Sequence, residues 1–281
     1  MSVEQSAAVK EQFNSANYAN KPRMLGVVRT EAARFVELLS APGQWEAPTA
    51  SGHWQVRDLA GHMIDVIEGY LERFAIARAG GQAPGALGLR VMAQRLDEHA
   101  QAFRSTPRAD VLARLNRNIE QLLGILDQLD EHDWAGLLVT HPYMGPVPAY
   151  MYPAFQLMDY SVHGWDILEG QKAAHGLSGD SADFLVPYMF ILWQATTDPA
   201  RAEGFSQPIG VRVSGRNGGT WRIGVTTGGY SYEPGQIDDL PAVLEFDPAS
   251  LVLTAFGRVR GGTTYGDQAL ADRYRGVFFS I

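Results

Sequence analysis

The chain contains no cysteine. That absence removes disulfides, thiolate metal sites and a cysteine nucleophile together. Any thiol used by the protein must come from a cofactor. A basic run is missing as well, and the net charge is −8. A phosphate backbone is repelled on average, so the sequence predicts no nucleic-acid partner. The opening segment MSVEQSAAVKEQFNSANYANKP is polar, without the apolar core of a secretory signal. The longest strongly apolar stretch, from Phe184 to Ala195, is too short to span a bilayer. These features predict a cytoplasmic chain with no membrane partner, existing as a monomer or homodimer. Charged residues are 19% of the whole, too few for long disordered tracts, and apolar residues are 46%, enough for a sizeable core. A length of 281 residues suits two domains.

The periodicity changes once along the chain. Apolar residues three and four apart predict helices over about 23–39, 56–79, 89–103, 107–130, 150–169 and 180–197. Pro187 inside the last of these predicts a kink or a late start. The stretch 131–150, with HPYMGPVP, reads as a loop. From about Ser206 the pattern is of strands. IGVRVSG (209–215) and TWRIGVTTG (220–228) flank RNGG, a hairpin signal. AVLEFDP (242–248) reads as a third strand, and helices over about 248–256 and 266–279 close the chain. The expected fold is α+β with two domains: a helical bundle over 1–200 and a small α/β domain over 201–281, divided in TTDPARAEGFSQP.

The chemistry-bearing residues lie on the helices. Asp159 and His163 are four apart, so one helix face carries a carboxylate and an imidazole about 5–6 Å apart at Cβ. That pair suits a borderline divalent metal. His62, at the edge of the apolar stripe of the second helix, is the best-placed third ligand. Three protein ligands with an open position describe a catalytic rather than a structural site. The competing reading is a surface ion pair at 159 and 163, with His62 a half-buried histidine held by Asp58 or Asp65.

Two motifs bear on that choice. HWQVRDLAGHM (53–63) resembles the W-x-V-x-D-L-x-x-H signature of the mycothiol-dependent maleylpyruvate isomerase family, through Trp54, Val56, Asp58, Leu59 and His62. FQLMDYSVHGWDI (155–167) resembles the family's E-x-x-x-H-x-W-D-L helix, through His163, Trp165, Asp166 and Ile167. The resemblance covers roughly residues 20–197 and implies a DinB-like four-helix bundle. It also implies a divalent metal held by His62, Asp159 and His163, with Asp159 where the family usually has glutamate. Zinc is the first expectation for the metal, with nickel and iron as alternatives. A low-molecular-weight thiol such as mycothiol is the implied cofactor. The implied activity is isomerisation or thiol S-transfer on small electrophilic carboxylates.

The tail 240–281 is similar to sterol-carrier-protein-like domains, through Gly266, Asp267, Leu270, Ala271 and Phe278. The family supplies an arginine from its C-terminal domain, for which Arg258 is the candidate, with Arg260 and Arg222 as rivals. Asp58 or Asp65 is expected to orient His62, and Tyr143 and Met144 to line the pocket. The alternative function is a non-catalytic protein that carries a lipid or small apolar ligand in its C-terminal domain.

Overall fold

The computed structural model describes residues 11, 13–173 and 175–281. The chain forms two compact units. One spans residues 15–177; the other holds 178–281 together with the described residues before 15. The architecture is α+β.

The first unit is helical. Its long helices are α1 (Lys21–Ser40), α2 (Val56–Arg78), α4 (Arg108–Gln128) and α6 (Met151–Gly170), with α3 (Leu89–Gln101) between α2 and α4. The pairs α1 with α6 and α2 with α4 pack most extensively. Local chemistry sets the boundaries. At the start of α2 the carboxylate of Asp58 accepts the backbone N–H of Gln55 at 2.9 Å, filling the N3 half of a capping box. The same carboxylate receives Arg104 through Nε and Nη2 at 2.8 and 2.7 Å, so its complete burial is compensated. Gly61 on α2 lies where a Cβ would come within 2.3 Å of the Ala100 carbonyl oxygen, so its lack of a side chain lets α3 approach. Helix α6 is buried on nearly every face, from Met151 to Ile167. Such all-round burial marks a central helix.

The stretch 131–150 is not a loop. It forms helix α5 (Glu131–Gly136), capped by the Asp130 side chain, and the hairpin β1 (Leu138–His141) and β2 (Gly145–Pro148). Pro146 and Pro148 read as breakers in the sequence. They are tolerated because β2 pairs on one side only, with β1, and an edge strand needs no outward N–H. The hairpin packs on α2, through β1.

The second unit is a five-stranded sheet of order β5-β4-β3-β6-β7, comprising β3 (Ile209–Val213), β4 (Gly219–Thr226), β5 (Gly229–Pro234), β6 (Ala242–Phe246) and β7 (Thr263–Gly266). Only β3 and β6 run parallel among these pairs. The hairpin at 214–218 forms as its Asn-Gly pair predicts. Strands β5 and β7 are additions to the sequence reading. Both are sheet edges, where half the backbone pairing and one flank of burial are missing, so the alternation that betrays a strand is weak. The helices of this unit are α7 (Gly179–Thr196), the short α8 (Pro199–Ala202), α9 (Pro248–Ala255) and α10 (Gln268–Arg275). Helix α7 runs through Pro187, which is exposed.

The division falls at 177/178, not near residue 200. Helix α7 packs against α9 and β5. Phe190 lies 4.7 Å from Trp221 and 5.2 Å from Tyr232, and Trp193 stacks on Phe278 at 5.3 Å. The sequence places this helix with the bundle, because an apolar helix carries no mark of which core it enters. Phe13 joins the same unit, 4.7 Å from Phe184, with the Arg216 guanidinium 4.0 Å over its ring.

Candidate metal centre

His62 comes from the middle of α2, Asp159 and His163 from successive turns of α6. The structure brings the three together: one ligand atom from each lies within 4.8 Å of the other two. The imidazoles are buried, their centroids 5.1 Å apart and their planes at 85°. Trp54 packs against both, at 5.3 and 6.2 Å, and its indole N–H donates to Asp97 at 2.6 Å. That bond fixes the indole plane that walls the centre.

Burial pushes the Asp159 carboxyl up to about 6, against the smaller opposing effect of His163. A carboxylate so placed is short of positive charge. Two imidazoles and one carboxylate also match the donor preferences of zinc and its neighbours. The residues therefore fit a divalent cation. His163 Nδ1 sits 3.0 Å from Asp166, a fully buried carboxylate one turn on. This leaves Nε2 as the nitrogen free to ligate, with the ring orientation fixed from behind. A second acidic group, Asp130, His132 and Asp133, is largely exposed, and Asp130 is spent capping α5.

Neither Asp58 nor Asp65 orients a ligand histidine. Asp58 is engaged by Arg104 and Gln55, while Asp65 pairs with His99 at 2.8 Å. The carboxylate in that role is Asp166, on the other histidine. Its signal was present as His-x-x-Asp on a helix, an i,i+3 spacing. Tyr143 and Met144 bond through their backbone: both N–H groups donate to His141 Nδ1 at 3.2 Å. His141 and Tyr70 carry no shared spacing in the sequence and come together only when the hairpin folds on α2. Arg258 lies in the turn after α9, donating to the Phe256 carbonyl at 3.0 Å. Arg222 pairs with Asp239 and Arg260 with Asp272.

Among the described residues, no helix is long and apolar enough to cross a membrane. No protein with curated annotation matches the chain in sequence. Two solved structures of the mycothiol-dependent maleylpyruvate isomerase, one of them a mutant, resemble it in fold. Their identities are 14% and 13%; each comparison covers 87% of this chain and 92% of the other, with a TM-score of 0.58. A colibactin self-resistance protein solved with a dsDNA aligns over 55% of this chain at 14% identity, with a TM-score of 0.47. The family model for the mycothiol maleylpyruvate isomerase N-terminal domain matches residues 25–168, just over half of the chain and within the helical unit that carries His62, Asp159 and His163. That match says nothing of the C-terminal unit, but it is long enough to settle the kinship: the chain belongs to the mycothiol maleylpyruvate isomerase N-terminal domain family.

Proposed function

We propose that the helical unit holds one divalent metal ion through His62, Asp159 and His163 and serves a thiol-dependent reaction on small electrophilic carboxylates, either a maleylpyruvate-type isomerisation or a thiol S-transfer. The observation that carries this reading is the convergence of two imidazoles and a carboxylate within 4.8 Å. Kinship with a mycothiol-dependent family supports the external thiol, as does the absence of cysteine from the chain. A zinc, nickel or iron ion held there would supply Lewis acidity and lower the pKa of a thiol bound to it.

The chain's own residues do the rest. Asp166 holds the His163 ring, and Trp54 excludes water from the faces of both histidines. Asp159 contributes the negative charge that a cation neutralises.

The test is metal content per chain, by elemental analysis, of the wild type and His163→Ala. One equivalent in the wild type, lost in the variant with far-UV helix content unchanged, supports the site. A screen of maleylpyruvate and other electrophiles with mycothiol then separates isomerase from transferase. A wild type that takes up no metal on reconstitution sinks the proposal.

A further inference from the structure

His141 ends strand β1, and the turn after it is closed by Gly145 at φ 89°, a left-handed conformation suited to glycine. The turn aims two backbone N–H groups, from Tyr143 and Met144, at His141 Nδ1. A nitrogen that receives two donors must offer a lone pair. The imidazole proton is therefore on Nε2. The ring is also neutral at ordinary pH, because burial and then the charge of Arg73 push its pKa down to about 4.

His141 Nε2 lies 3.1 Å from the Tyr70 hydroxyl oxygen. With the proton on Nε2, histidine donates and tyrosine accepts. The hydroxyl hydrogen of Tyr70 must then point elsewhere, and no acceptor for it exists among the described residues. Tyr70 is 5% exposed, so bulk water does not substitute. A buried donor without an acceptor costs about 1–3 kcal/mol, which a fold rarely tolerates unless a ligand completes the bond.

The position of Tyr70 identifies the ligand. It follows His62 by a little over two turns of α2 and leans toward the N-terminus, while its partner His141 packs 5.1 Å from Phe155, one turn before Asp159 on α6. Burial and the charge of Asp159 hold the phenol well above its ordinary pKa, which keeps the hydroxyl protonated. Its ring is wedged edge-on against Tyr152 at 4.8 Å, which packs against Phe155 in turn. The donor is rigid.

We infer that Tyr70, oriented by His141, is a preset hydrogen-bond donor to an anionic oxygen of the molecule bound at the His62/Asp159/His163 centre. What this donor selects is an oxygen that is negative or becomes so during the reaction. His141 is a positioning residue, acting only through Tyr70. The inference rests on the metal reading above and sharpens its substrate class.

The experiment uses the full chain loaded with cobalt(II) and titrated with acetohydroxamate, an oxyanion ligand of protein-bound metals. The visible spectrum reports both cobalt occupancy and probe binding. Tyr70→Phe is expected to keep one cobalt per chain and to weaken acetohydroxamate by about tenfold or more. His141→Leu should show the same loss and add nothing to Tyr70→Phe. His141→Gln, which retains one N–H donor and one acceptor, should stay within about threefold of wild type. Equal probe affinity in wild type and Tyr70→Phe at equal occupancy overturns the inference. So does loss of cobalt from Tyr70→Phe, since the hydroxyl then serves Asp159 or the fold instead. Failure of the wild type to bind cobalt is a different failure: it sinks the metal centre itself. Tyr70→Phe carries the test alone if His141→Leu does not fold.

Discussion

The two units bury polar groups differently. In the C-terminal unit the buried polar residues, among those described, are Ser181, Asp183 and Thr196. Each is closed locally: Ser181 by Ser178 at 2.6 Å, Asp183 by Arg216 at 2.7 Å, Thr196 by the Leu192 carbonyl at 2.8 Å. The rest of that core is aromatic and aliphatic. The helical unit buries more polar residues, including His62, His163 and Asp166 at the candidate centre, His141 beside Tyr70, and Glu31, Asp58, Asn118, Gln156 and Ser161 elsewhere. Polar side chains taken out of water at this density are costly unless something repays them. The first pattern serves stability, while the convergence of two imidazoles and a carboxylate suits a ligand.

Changes that cut into the aromatic core should therefore cost stability and leave metal binding alone. Trp193 is 2% exposed and touches Phe190, Phe246, Tyr274 and Phe278. Trp193→Ala is expected to destabilise by about 3–5 kcal/mol in urea titration, with metal stoichiometry under native conditions unchanged. Metal loss in that variant would break the contrast between the units.

The polar core of the helical unit should show itself in pH dependence. The His141 pKa lies near 4 in the fold, against 6.5 ordinarily. As the pH falls below 6.5 the unfolded chain takes up a proton that the folded chain refuses. The stability tied to this group is complete above 6.5 and is lost progressively toward pH 4, by about 3 kcal/mol in all. Urea midpoints measured from pH 7.5 to 4 should fall in the wild type, and less steeply in His141→Gln. Parallel slopes would remove His141 from the account.

The smallest effect expected is at the end of α6. Lys172 holds φ 54°, a left-handed conformation that suits glycine better. Lys172→Gly should raise stability by up to about 1 kcal/mol, read as a small rise in Tm, without touching either core. An unchanged or lowered Tm would mean that the lost side chain matters more than the relieved backbone.

Much of this was legible in one dimension. The helices at 21–40 and 56–78 carry strong three-and-four periodicity, and His62, Asp159 and His163 stand out as chemistry-bearing residues within or beside apolar stretches. What escaped was of two kinds. Edge strands β5 and β7 and the proline-bearing hairpin lack the alternation of a buried strand. Helix α7 is apolar nearly all round, so its periodicity named no partner, and it was grouped with the helices before it. The second-carboxylate role went to Asp58 and Asp65 because they share a helix with His62. Asp58 is consumed by Arg104, forty-six residues away, which no local pattern announces.

The sequence by itself determined the helices, the change to strands and the ligand-type residues, because periodicity, turn chemistry and side-chain identity act over a few neighbouring positions. Only the tertiary structure decided which core α7 enters, that Asp166 rather than Asp58 backs a histidine, and that a hairpin turn sets the proton on His141 and so the direction of the Tyr70 hydroxyl. Those outcomes depend on contacts between residues far apart in the chain, where burial and geometry, not local propensity, carry the free energy.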